Sequence, residues 1–255
     1  MRIIKSYMGL TEVKSEFAKH CINNQNPYSK VSASDIDVGY PHTHLAPIFF
    51  RALLNSYSIE WIVEVGSMVG GSAIQMCEVA KSAGIQIFIT CIDPFTGDVN
   101  MWEQEPYLDW KYLQLENGMP TISKRFLSNV FHSGNSESIL PLCATSSVGL
   151  KFLKRLIGDG RISQDPGLIY LDSAHEKDET YLELKLCFDL LPSGGILFGD
   201  DWDWDAVRND VIRFANDMNK TGQVGDIRGP LLSLDHERVA ESIYLFKDHW
   251  LLIKS

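Results

Sequence analysis

The chain has 255 residues, 45% of them hydrophobic, enough for one large domain or a domain with a lid. Its net charge of −10 and pI near 5.1 oppose a nucleic-acid surface, which needs a basic patch. The N-terminus lacks a signal-peptide core and no apolar run is long enough to span a membrane, so a cytoplasmic protein with no membrane partner is expected.

Residues 1–57 read as a helical preamble and 58–255 as the main domain. Five short apolar runs then follow: "WIVEV" (61–65), "IQIFITCID" (85–93), "SILPLCA" (138–144), "GLIYLD" (167–172) and "GGILFGD" (194–200). They are continuous rather than alternating, as strands covered on both faces are. Helical stripes lie between them. One is Ala73, Ile74, Cys77 and Ala80; another is Tyr181, Leu184, Cys187 and Phe188, with Asp172 and Ser173 as candidate caps; a third is Val207, Val211, Phe214, Ala215 and Met218. Residues 95–137, rich in aromatics (Phe95, Trp102, Tyr107, Trp110, Tyr112), interrupt the alternation as an insertion, and such long insertions serve as lids. After residue 220, "IRGPLLSLDH" and "ESIYLFKDHWLLIKS" read as two strands of an antiparallel hairpin. The pattern predicts an α/β fold: a doubly wound sheet, mostly parallel with that hairpin, helices on both faces, and a lid. The five cysteines lack CxxC or metal-type spacing and read as buried reduced thiols.

"VEVGSMVGGSA" (63–73) places Glu64, Gly66, Gly70 and Gly71 where a strand turns into a helix. Glycines there let backbone approach a ligand, and the helix N-terminus offers free N–H groups. The spacing is neither the GxGxxG of a dinucleotide site nor a P-loop. The second strand ends in Asp93, where an acid grips ribose hydroxyls in such folds; a surface turn aspartate before Pro94 is the plain alternative.

The fourth strand ends in Asp172 and the fifth in Asp200–Asp201, all at the carboxyl edge where open α/β sheets bind ligands. If those strands are neighbours, three convergent carboxylates repel, so either some are protonated or a cation is present; the oxygen ligands suit Mg²⁺, with Mn²⁺ or Ca²⁺ as rivals. The alternative is that these aspartates cap helices, which we favour for Asp203 and Asp205. Trp202 is assigned to the acceptor side. His42 and His44 in "YPHTHLAP" are read as loop or capping residues rather than a metal pair, because they lie upstream of the fold.

Together, "VEVGSMVGGSA", "CIDPF", "LIYLDSAHE" and "LLPSGGILFGDDW" resemble a class I S-adenosylmethionine-dependent methyltransferase with a Rossmann-like sheet, over roughly residues 60–220. The resemblance is to the metal-dependent O-methyltransferases of the catechol and macrocin/mycinamicin sugar types. Met68 stands where the general pattern has its middle glycine. The resemblance implies that Glu64, Gly66, Ser67, Gly70 and Ser72 line the methionine part of the cofactor. Asp93 would bind ribose, Thr145–Ser146 would flank adenine, and Asp172 would reach both cofactor and metal. His175 occupies the place of the catechol-type lysine base; it is a candidate base, metal ligand or helix cap. The implied catalytic set is His175, Asp172 and Asp200, and the implied metal set is Asp172, Asp200 and Asp201. The expected activity is methyl transfer to a hydroxyl of a small molecule, a sugar ahead of a catechol, by a chain that forms a homodimer. A cephalosporin hydroxylase-like enzyme and a non-catalytic cofactor-binding protein are the alternatives.

Overall fold

The five apolar runs become the parallel half of one sheet: β1 (Trp61–Val65), β2 (Phe88–Asp93), β3 (Ile139–Cys143), β4 (Leu168–Leu171) and β5 (Ile196–Gly199). Every residue of β1, β2, β4 and β5 is buried, which explains why they do not alternate. The structure is a computed structural model that describes residues 2–32, 43–102, 113–173 and 175–255, with side chains from residue 10 onward.

The antiparallel half comprises β6 (Val224–Gly225), β7 (Glu237–Val239), β8 (Ile243–Phe246) and β9 (His249–Lys254). The strand order is β3-β2-β1-β4-β5-β9-β8-β7, with β6 paired to β9. The chain moves outward from β1 to β3, then returns to place β4 on the other side of β1. Crossovers of one hand therefore put helices on opposite faces and open a crevice between β1 and β4.

The described residues form eight helices: α1 (Arg2–Cys21), α2 (Pro47–Ser56), α3 (Gly71–Ser82), α4 (Val99–Trp102), α5 (Ile122–His132), α6 (Ser146–Gly158), α7 (Glu179–Leu190) and α8 (Asp205–Asn219). α6, α7 and α8 pack side by side, as do α2 and α3. The N-terminal helices share the sheet's core, since Phe17 packs edge-on against Phe88 (centroids 5.6 Å) and Phe49 against Phe198 (5.7 Å). Fully buried Trp61, Trp250, Tyr170, Phe88 and Phe198 anchor that core, each stabilising the fold by about 1.5–3 kcal/mol.

Three local expectations are corrected. "IRGPLLSLDH" is not a strand: Gly229–Ser233 forms a 3-10 turn. Pro230 has no N–H for a ladder, Gly229 sits at φ +65°, and the Leu231 N–H donates to Ser56 Oγ (3.2 Å). The hairpin instead folds within "ESIYLFKDHWLLIKS", as β8 and β9. Asp172 and Ser173 do not cap α7, which starts later behind Asp178 in the left-handed region. α8 starts behind Trp204 with no side-chain cap; Asp205 sits in its first turn and pairs with Arg208, and Asp203 caps nothing. Within the 95–137 insertion, α5 packs into the core through Phe126, whose ring lies 5.1 Å from that of Phe95. Tyr107, Trp110 and Tyr112 lie outside the described residues, as does His42. Cys77, Cys91 and Cys187 are buried free thiols, but Cys143 is exposed because it ends β3.

Candidate functional site

The glycine turn closes at the crevice. Gly66 donates its N–H to Ile92 O (3.0 Å), and the Asp172 N–H bonds to Val65 O (2.9 Å), so the ends of β1, β2 and β4 meet there. Gly66 has φ +85°, and a β-carbon on it would stand 1.9 Å from the Asp172 carbonyl oxygen. Only glycine allows that approach. Met68, in place of the middle glycine, is held at φ +44°, the left-handed conformation that a glycine would adopt without strain.

Buried acids brace the turn from below. Glu64 accepts from Ser72 Oγ (2.5 Å) and from Cys91 Sγ (3.3 Å), and its complete burial raises its pKa. Asp93 accepts from the Ser67 and Met68 N–H groups (2.9 and 2.7 Å) and from that of Phe95 (2.5 Å). Burial raises its pKa too, with those three N–H groups opposing the rise.

Across the crevice, the His175 ring bridges two carboxylates. Nδ1 lies 3.0 Å from Asp98 Oδ2 and Nε2 lies 2.7 Å from Asp201 Oδ2. Burial would lower the imidazole pKa, but the bonds to Asp201 and Asp98 outweigh it and raise it to about 10. Burial works against Asp201 in the same way, and its bond to His175 prevails and lowers its pKa. Asp172 goes the other way: burial, then the charges of Asp201 and Asp200, push it well above the usual carboxylate range. Burial and like charges thus favour the protonated form of Asp172, while the two flanking carboxylates favour the charged form of His175. One ligand atom from each of Asp172, His175 and Asp201 lies within 4.8 Å of the other two. Two carboxylates and an imidazole so placed fit a divalent ion, which would displace the Asp172 proton.

Asp200 stands apart from that trio. Asp201 adopts φ +61°, and the turn leaves the two carboxylates facing different neighbours. Asp200 Oδ1 faces His249 Nε2 at 3.9 Å, and Oδ2 faces His44 Nδ1 at 4.0 Å. The expected place of Trp202 on the acceptor side is corrected. Trp202 is buried in the core, whereas Trp204 is exposed and its ring lies 4.9 Å from that of His175.

A cleft of about 810 Å³ lies between the glycine turn and His175. Gly66, Ser67, Ser72, Asp93, Ser146, Asp172 and His175 line it, as sequence reading expects of site residues; Glu64, Gly70, Asp200 and Asp201 do not. Asp98, Glu179 and Glu183 line it without any motif to mark them. Glu183 accepts from Ser173 Oγ (2.7 Å), and its position one α7 turn from Glu179 was the only signal available. Thr145 caps α6 by accepting from the Val148 N–H (3.4 Å), which fixes Ser146 at the rim.

A family model described as a methyltransferase domain matches residues 63–202, more than half of the chain. None of the curated proteins matches it by sequence. Among solved structures, cofactor-bound Rv0187 from MTB is 13% identical, covering 98% of this chain and 89% of that one with a TM-score of 0.50. The O-methyltransferase TomG from Streptomyces achromogenes, involved in tomaymycin synthesis and solved with S-adenosylmethionine, is 14% identical, covering 96% and 90% with a TM-score of 0.50. These likenesses concern the fold. The match covers the glycine turn, the Asp172–His175 segment and Asp200–Asp201, and the chain belongs to the methyltransferase-domain family, with the fold of class I S-adenosylmethionine-dependent enzymes.

Proposed function

We propose that this protein methylates a hydroxyl oxygen of a small polyhydroxylated molecule, a sugar or sugar-containing compound ahead of a catechol, assisted by a divalent ion. The observation that carries this reading is that one cleft is lined both by the Gly66–Ser72 turn and by the Asp98–His175 pair. When bound, S-adenosylmethionine supplies an electrophilic methyl for in-line displacement and Mg²⁺ lowers the pKa of the acceptor hydroxyl.

The chain's residues do the rest. Gly66 and Gly70 open the turn to the methionine end of the cofactor, with Ser67 and Ser72 as its polar lining and Glu64 fixing Ser72 from beneath. Asp93 reaches the ribose and Ser146 the adenine edge. Asp172 and Asp201 hold the ion, with His175 as third ligand or as base. As base, His175 would act from its neutral form, which an ion on Asp201 favours by neutralising the carboxylate that holds Nε2 charged, and Asp98 would orient the ring. Asp98, Glu176, Glu179 and Glu183 offer the cleft acceptor atoms, which suit a ligand rich in O–H donors and a cationic sulfonium, and disfavour an anionic acceptor.

Methyl-labelled S-adenosylmethionine offered with a panel of sugars and catechols tests this. Label should enter a sugar hydroxyl with Mg²⁺, and fall at least a hundredfold in EDTA or in Asp172→Asn. Label confined to catechols would overturn the sugar preference, and equal turnover in EDTA would remove the metal.

A further inference from the structure

The proposed methyl transfer gives no part to Tyr170, which is fully buried in β4 two residues before Asp172. Side chains two apart on a strand project from the same face, so the phenol and the carboxylate share one side of the sheet. The Tyr170 hydroxyl donates to Asp172 Oδ2 (3.1 Å). Its ring is held in place by the neighbouring strands. Tyr170 pairs in register with Glu64 of β1 and Phe198 of β5, and it stacks on Phe198 with centroids 4.5 Å and planes 25° apart. A buried tyrosine hydroxyl needs a partner, and a backbone carbonyl would serve. Here the partner is the carboxylate that the ion reading of the cleft requires.

The rest of Asp172 is fixed as well. Its N–H bonds to Val65 O (2.9 Å), and its carbonyl oxygen closes against Gly66. With the backbone set, the side chain keeps only its own torsions, and a hydrogen bond at one carboxylate oxygen restrains them. That bond also makes the two oxygens unequal. Oδ2 is engaged by the phenol, so Oδ1 is the readier ligand. A small octahedral ion such as Mg²⁺ is suited by one oxygen per carboxylate, whereas Ca²⁺, with more ligands and looser geometry, also takes both.

We propose that Tyr170 is a positioning residue for the ion: it locks the Asp172 carboxylate and confines it to ligation through one oxygen, which tunes the site toward Mg²⁺ and Mn²⁺ and away from Ca²⁺. The inference rests on the reading of Asp172 as an ion ligand. Tyr170 does not line the cleft, so it acts through Asp172 and touches neither cofactor nor acceptor. Hydrogen bonds that orient a ligand from behind typically change metal affinity about 10- to 100-fold.

The test is Tyr170→Phe in the full chain, which removes one buried oxygen and keeps the ring stacked on Phe198. Mn²⁺ binding is followed by electron paramagnetic resonance, Ca²⁺ by competition with Mn²⁺, and the demethylated product of S-adenosylmethionine by calorimetry without metal. Mn²⁺ affinity should fall about tenfold or more, the preference for Mn²⁺ over Ca²⁺ should narrow about threefold or more, and the product's affinity should stay within about twofold. Phe198→Leu loosens the same stack without touching the hydroxyl, and should leave both Mn²⁺ affinity and the preference within about twofold. Near-ultraviolet dichroism confirms the fold of both variants. Unchanged Mn²⁺ affinity or an unchanged preference in Tyr170→Phe, or an equal loss in Phe198→Leu, would overturn the proposal. A wild type that binds no Mn²⁺ would overturn the ion reading of Asp172, and this inference with it.

Discussion

Replacing Asp98 by Asn tests the His175 bridge most sharply. The amide keeps an oxygen that can accept from Nδ1, so the geometry survives while the charge is lost. The rise from 6.5 to about 10 is a preference of about 5 kcal/mol for the protonated ring, shared by Asp201 and Asp98. A charge-assisted hydrogen bond contributes about 1.5–3 kcal/mol, so the variant's His175 should titrate about one to two pH units lower, at about 8–9. The sign for stability follows. A raised histidine pKa stabilises the fold fully below the unfolded value of 6.5, and that stability is lost as pH rises through about 10. The variant should therefore be less stable than the wild type by about 1.5–3 kcal/mol at pH 6, and the difference should vanish above about pH 10. NMR titration of the ring, assigned with His175→Asn, together with urea unfolding at pH 6 and 10.5, measures both. Wild-type His175 titrating near 6.5, or an unchanged titration in Asp98→Asn, would refute the bridge.

Other outcomes follow from the same geometry. Gly66→Ala forces a β-carbon into the Asp172 carbonyl, and should cost about 3 kcal/mol or more in chemical denaturation and abolish cofactor binding. Because burial and like charges favour protonated Asp172, Mg²⁺ binding should be tighter at higher pH and accompanied by proton release in calorimetry with buffers of different ionisation enthalpy, and Asp172→Asn should diminish that release. Trp204→Ala should leave stability within about 1 kcal/mol while raising the acceptor KM, whereas Trp202→Ala, in the core, should cost about 3 kcal/mol.

The parallel sheet was legible because each of its strands is buried on both faces and therefore reads as an unbroken apolar run. The glycine turn was legible for a related reason: Gly66 stands where only glycine clears the Asp172 carbonyl. Asp98 was not, since its role depends on a loop folding back onto His175, 77 positions away. The division between Asp200 and Asp201 was hidden as well. It arises from the left-handed backbone at Asp201, which no side-chain pattern announces. Trp202 and Trp204 illustrate a third limit, because two-residue spacing gives opposite faces without saying which is buried. The 3-10 turn at Gly229–Ser233 was missed because "PLL" looks like a strand until Leu231 is seen docked on Ser56 of α2.

Calorimetric titration with S-adenosylmethionine and its demethylated product tests the central claim most directly. Both should bind with micromolar affinity, saturating at one equivalent, and Gly66→Ala should abolish the heat. No binding at millimolar ligand to folded protein would contradict the assignment of this cleft as a methyl-donor site.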